Sequence, residues 1–350
     1  MSAVTDPGGR AVDVHTHVVP GPTPFLQRLA GSDPHWARLV PRTDRSDVAD
    51  VVVAGRVFRT VRRVAYDLDA RHAEQLSLEC GGQVLSAMPE LFAMWAPPAD
   101  ATDYCRAFND WLRGQIDGHD GFFSGLGIVP LQDPDAAAGL LAEVRRIGLL
   151  GVEIPSAAPA APLHDPRFDG FFREAEQLGL LVFVHSVGGV GSFSHPMAGT
   201  SAVFPSRIGE AVAGLIANGV AARHPDLRLL VSHGGGSLPA SLARLDFVRT
   251  TTPQLREYMP EPATAYARRF WYDTLLFDAA LMELLIATVG QDRVVLGSDY
   301  PFLHGNPNAV LTDSRLPADF ASRAGSHNSR RLLGDLVAQA TQPPRTSGGL

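Results

Sequence analysis

Cysteine is scarce in this chain: among 350 residues only Cys80 and Cys105 occur. Two are too few for a disulfide framework and lack the spacing of a cysteine zinc site, so both read as packed, reduced thiols. A basic surplus is missing as well. The 30 Lys and Arg against 37 Asp and Glu leave a formal charge of -7, which gives no electrostatic footprint for nucleic acid. Arg59, Arg62 and Arg63 form only a short local cluster. No run approaches the roughly 20 apolar residues that span a bilayer, and the opening MSAVTDPGGR has no apolar signal-peptide core. The expectation is a cytoplasmic protein with a small-molecule partner, no nucleic acid and no membrane.

What is present is a large apolar content, 45% of residues with 19% charged, enough to bury a sizeable core. Eight short apolar runs recur: AVDVHTH, QVLSAMP, FFSGLGIVP, LGVEIPS, LVFVHS, LRLLVSHGGG, FWYDTLLF and VVLGSDYPF. Most are continuous rather than alternating, as parallel strands covered on both faces are. Between them, segments such as DAAAGLLAEVRRIG and DAALMELLIATVG carry apolar residues at helical steps and end in Gly. Eight βα units predict an α/β fold, a (β/α)8 TIM-type barrel, with a small insertion after the first strand. The predicted organisation is one domain over residues 1–340 with an insertion at about 20–80 and a disordered tail at 341–350. Within the insertion VVVAGRVFRTV reads as a hairpin turning near Ala54 and Gly55. The stretch SVGGVGSFSHPMAGTSAVFP after the fifth strand reads as irregular.

Polar residues stand at the C-terminal ends of several of these strands, the face where barrel enzymes build their sites. His15 and His17 are two apart on strand one, so a pleated strand points both imidazoles the same way. His185 closes strand five, His233 strand six and Asp299 strand eight. Each alone has an ordinary reading: a satisfied core histidine, a turn before three glycines, a helix cap. Together they place several polar groups in apolar surroundings, which costs several kcal/mol unless they are used. A nitrogen- and oxygen-rich set of this kind suits one divalent ion, zinc first and manganese nearly as well.

The run VDVHTHVVP, then FVHS, SHGGG and GSDYPF in that order, resembles the amidohydrolase-2 group of the amidohydrolase superfamily. The likeness extends over GRVFRTVRR and AMPELFAMWAPPAD and covers nearly the whole chain. The resemblance implies His15, His17, His185 and Asp299 as metal ligands, with His233 as general base and Asp299 counted with it as catalytic. It implies Arg59 as a substrate-carboxylate contact and Arg244 as a second, supplied across a homodimer. The implied activity is metal-dependent, non-oxidative decarboxylation of an unsaturated or aromatic carboxylic acid, with a substrate like aminocarboxymuconate semialdehyde. The same site would also support a hydrolase acting on amides or esters, or a hydratase, since each can begin with activated water.

One departure is clear. The family's decarboxylase carries tryptophans after the strand-five histidine, whereas residues 186–205 here contain none. Glu153, at the end of strand four, reads as a salt bridge to a barrel arginine in preference to an extra acid or metal contact. Phe193 and His195 could touch substrate or be exposed, and Trp95 could equally serve packing.

Overall fold

The computed structural model describes residues 9–159, 161–187, 193–303 and 305–340. The expected tail, 341–350, lies outside them. Among the described residues the strands are β1 (Val12–Val18), β2 (Arg38–Pro41), β3 (Val48–Val53), β4 (Arg56–Arg62), β5 (Gly82–Ala87), β6 (Phe123–Gly127), β7 (Gly151–Pro155), β8 (Ala157–Ala158), β9 (Ala161–Pro162), β10 (Leu181–His185), β11 (Arg228–Val231), β12 (Trp271–Asp273) and β13 (Val294–Val295). Eight of them form one parallel sheet in the order β1, β5, β6, β7, β10, β11, β12, β13, one for each apolar run. The sheet closes on itself past β13: the Val14 amide donates to the Leu296 carbonyl at 2.9 Å and the His17 amide to Tyr300 at 2.7 Å. The fold is a (β/α)8 barrel.

Alternation along the strands sorts side chains to two sides. Val182 and Val184 join the large cluster shared with the surrounding helices, whereas Leu181 and Phe183 join a second cluster. The second cluster also holds Val12, Val14, Leu230 and Val295, and helix Ser329–Ala340 adds Leu332, Leu333 and Leu336. The surrounding helices follow their sequence signals. Asp133 caps helix Pro134–Arg146 by accepting from the Ala136 amide at 3.0 Å, and Ala137, Leu140, Leu141 and Val144 form its buried stripe.

Between β1 and β5, strands β2, β3 and β4 form a separate antiparallel sheet. Its hairpin turns at Ala54 and Gly55, both at positive φ, as a two-residue primed turn requires. Leu39, Val51 and Val61 from this sheet belong to the same apolar cluster as the barrel's outer face.

The stretch after β10 departs from its sequence reading. Residues 188–192 lie outside the described set, but Pro196–Ala217 is a helix with Pro205 inside it. The Pro205 carbonyl accepts from the Ser237 amide at 2.9 Å, tying the helix to the turn after β11. At that crossing only glycine fits: Gly236 has φ 55° and ψ -119°, and a Cβ there would stand 2.1 Å from the Pro205 oxygen.

Candidate metal centre

The ends of β1 and β10 and the turn after β13 bring four side chains to one point. One donor atom each from His15, His17, His185 and Asp299 lies within 4.8 Å of the others. The Nε2 atoms of His15 and His17 are 3.1 Å apart, and His17 Nε2 is 3.1 Å from Asp299 Oδ1. Donors about 2 Å from a shared tetrahedral ion would be roughly 3.3 Å apart, so the spacing suits a cation between them. Both ring nitrogens of His185 are buried without a hydrogen-bond partner. An orphaned imidazole aimed at three other donors is costly unless an ion completes it, and the residues fit a divalent metal.

The outer nitrogens of the histidines are anchored. His15 Nδ1 pairs with Asp273 Oδ2 at 2.6 Å, and His17 Nδ1 donates to the Ala87 carbonyl at 2.9 Å. These partners orient the rings so that Nε2 faces the other donors of the cluster. Asp273 also accepts from the amides of His233, Gly234 and Leu275 at 2.9, 2.8 and 3.1 Å. It therefore ties β12 to β1 and to the turn after β11. Burial, the largest single influence, opposes its charge, but the His15 hydrogen bond, the charges of His15 and His233 and the Gly234 amide together lower its pKa. Asp299 behaves alike: burial is the largest influence and raises it, but the His17 hydrogen bond and the charges of His17, His15 and His233 together bring it down to about 2. Burial pushes His17 and His185 below their usual values, leaving them neutral and ready to ligate.

His233 stands beside the cluster and outside it. Its ring centroid is 5.3 Å from that of His185 and 5.6 Å from that of His15, and its buried Nε2 has no partner. Burial lowers its pKa, so it is a neutral base at pH 7. His233 and Asp299 both take left-handed backbone, φ 52° and 57°. Non-glycine residues held there cost of order 1–3 kcal/mol and mark sites where geometry is imposed.

The two arginines part company. Arg59, on β4, sits with its guanidinium 4.5 Å over the Phe302 ring, and Phe302 stacks at 5.6 Å and 21° on His17. Arg59 is thus two layers from the donors. Arg244 is exposed on helix Leu238–Thr251, and no described interaction joins it to the cluster within one chain. Phe193 and His195 are exposed. Trp95 packs its ring 4.9 Å from Trp36 and 5.3 Å from His35.

Glu153 corrects its sequence reading. Among the described residues no arginine pairs with it; both oxygens are buried without a well-formed hydrogen bond, and Oε1 lies 3.8 Å from His17 Nδ1. Burial drives its pKa well above the usual carboxylate range, opposed in part by Ser86. The buried arginine nearby, Arg71, is spent on Gln83 Oε1 and the His17 carbonyl, both at 2.7 Å. Asp273, Phe302 and Glu90 went unassigned in the sequence, although Asp273 carries the same signal as the ligands, an acid at the end of an apolar strand. Cavities of 460 and 320 Å³ flank helix Pro24–Ser32 and contain none of the ligands, so donor chemistry rather than volume marks the site.

Fold and donor set together define a metal-dependent barrel enzyme with a four-donor site. The chain belongs to the amidohydrolase family, which it matches over residues 12–334. It is 32% identical over 298 residues to the 2-amino-3-carboxymuconate-6-semialdehyde decarboxylase of Dictyostelium discoideum, covering 83% of this chain and 81% of that one. The structure is similar to 5-carboxyvanillate decarboxylase from Sphingomonas paucimobilis, with TM-score 0.76, 21% identity, and 93% and 99% of the two chains covered. It is also similar to the manganese-bound dihydroxybenzoic acid decarboxylase of Polaromonas sp. JS666, with TM-score 0.72, 19% identity, and 93% and 97% covered.

Proposed function

We propose that this chain is a metal-dependent, non-oxidative decarboxylase of an unsaturated or aromatic carboxylic acid, with aminocarboxymuconate semialdehyde the first substrate to offer. The observation that carries the reading is the four-donor cluster with an unligated, neutral His233 beside it. Zinc is the first choice of ion for a histidine-rich set, and manganese suits it nearly as well. A divalent ion held there supplies Lewis acidity for substrate oxygens and brings the pKa of a coordinated water to about 7.

The protein's own groups supply the rest. Arg59 takes a substrate carboxylate in bidentate geometry, steadied by Phe302 beneath it. A second clamp comes from the partner subunit's Arg244, which makes the active form a homodimer. When the bond to the departing carboxylate breaks, carbon dioxide leaves and the electron pair stays on carbon. That carbon then takes a proton, which His233 is placed to hold and return. The proposal also takes residues 1–340 as one cytoplasmic domain, with the segment at about 20–80 as its insertion.

The experiment compares zinc-loaded protein with an apo control on aminocarboxymuconate semialdehyde, following substrate loss and carbon dioxide release together. Metal-dependent release supports the reading. Loaded protein that consumes substrate without releasing carbon dioxide would redirect it to hydrolysis or hydration.

A further inference from the structure

Arg59, which holds a substrate carboxylate in the decarboxylase reading, comes from a sheet that shares no pairing with the barrel: among the described residues β2, β3 and β4 pair only with one another. Packing of Leu39, Val51 and Val61 against the barrel's outer cluster seats that sheet. Apolar packing is non-directional and does not fix where a guanidinium points. The metal ligands, by contrast, stand on barrel strands and on the turn after β13. An arginine on a separate sheet clamps a carboxylate well only if its strand is held at a set distance from those ligands.

Among the described residues two ties join β4 to the turn after β13. The first is the stack of the Arg59 guanidinium 4.5 Å over the Phe302 ring. The second runs through helix Leu68–Ser77, which lies between β4 and β5 in the chain. There Glu74 pairs through Oε2 with Arg62, the last residue of β4, and accepts through Oε1 from the Tyr300 hydroxyl at 2.8 Å. Tyr300 directly follows Asp299 and stands two residues before Phe302. Its ring is held as well: the Arg71 guanidinium, from the same helix, lies 4.7 Å over it and donates to the His17 carbonyl at 2.7 Å. The Tyr300 carbonyl accepts from the His17 amide at 2.7 Å. One helix therefore grips the backbone of His17, the neighbour of Asp299 and the strand that carries Arg59.

We propose that the Arg62–Glu74–Tyr300 bridge is a positioning device: it fixes the distance between Arg59 and the metal ligands, and so sets the affinity for the substrate carboxylate without touching substrate. The inference rests on the decarboxylase reading, in which Arg59 is the carboxylate contact. The ion pair, with side chains 46% and 27% exposed, adds little stability. It acts by alignment, and the half-buried Tyr300 hydroxyl is the directional part of the bridge.

The test is steady-state kinetics of zinc-loaded variants on aminocarboxymuconate semialdehyde, with zinc content measured on the same preparations. Tyr300→Phe deletes only the hydroxyl. It should raise KM by roughly three- to ten-fold, the size of one lost hydrogen bond, with kcat within about two-fold of wild type and zinc retained. Glu74→Ala should do the same, and the double variant should be no worse than Glu74→Ala alone, since both changes act through one carboxylate. In an Arg59→Ala background Tyr300→Phe should lower kcat/KM no further, whereas general loosening of the fold would add to the Arg59→Ala effect. Unchanged KM in Tyr300→Phe, an additive loss in the Arg59→Ala background, or loss of zinc would each overturn the bridge while wild-type turnover leaves the decarboxylase reading standing. A loaded wild type that turns over no substrate would sink that reading, and this inference with it.

Discussion

The two walls of the site are built on opposite principles. On the β1, β11 and β12 side the polar atoms are largely tied down, His233 Nε2 excepted: Asp273 accepts from the His15 ring and three backbone amides. On the β5 and β7 side, Glu90 Oε2 and both oxygens of Glu153 are buried without a well-formed hydrogen bond. A satisfied network fixes geometry, while an unsatisfied one stores a cost that something arriving from solution can relieve. One wall therefore holds the candidate ligands in place, and the other keeps buried acceptors open.

That contrast can be broken by substitution, most severely at the ligands. Asp299→Ala should lose bound metal and turnover together, by roughly a thousand-fold or more in rate, given the several kcal/mol a metal contributes. Metal analysis and kinetics on one preparation check this, and a variant retaining both removes Asp299 from the ligand set. His233→Ala should keep its metal and lose about 10²- to 10⁴-fold in kcat, the range of a general acid–base group. Near-normal kcat would remove the base from that wall. Arg244→Ala should be inactive alone yet recover about one quarter of wild-type activity when exchanged at random with Asp299→Ala subunits. In each mixed dimer one site would have both its metal and its cross-subunit arginine. No recovery under verified exchange would make the site one subunit's own.

Smaller effects sharpen the comparison. Asp273→Asn should weaken metal binding by about 10- to 100-fold, read by competition with a chelator, because it loosens the His15 ring without removing a ligand. The smallest effect is a pH slope. Burial raises the Glu90 pKa above 4.5 in the folded chain, so folding favours its protonated form. Its contribution to stability is present below pH 4.5 and is lost as pH rises through the folded pKa. Glu90→Gln should flatten that part of the melting-temperature profile in metal-free protein, and an unaltered profile would mean the carboxyl is not desolvated.

His15, His17, His185, His233 and Asp299 were legible because a polar residue at the end of an apolar strand is visible in one dimension. Asp273 bears the same mark, yet its meaning depends on a ring 258 residues away. The run FWYDTLLF alone shows no such partner. The stack of Arg59 on Phe302 on His17 joins three distant segments and has no periodic trace. Helix Pro196–Ala217 was hidden by its own composition, since Gly199 and Pro205 are breakers that tertiary contacts override. Glu153 misled because a buried acid is ordinarily paired, and here it is not.

The most direct test of the central claim is to run the zinc-loaded enzyme on aminocarboxymuconate semialdehyde in deuterium oxide and analyse the product. The account predicts a product that has lost carbon dioxide and carries one deuteron at the carbon that bore the carboxylate. A product that keeps its carboxylate and has gained the elements of water would contradict it.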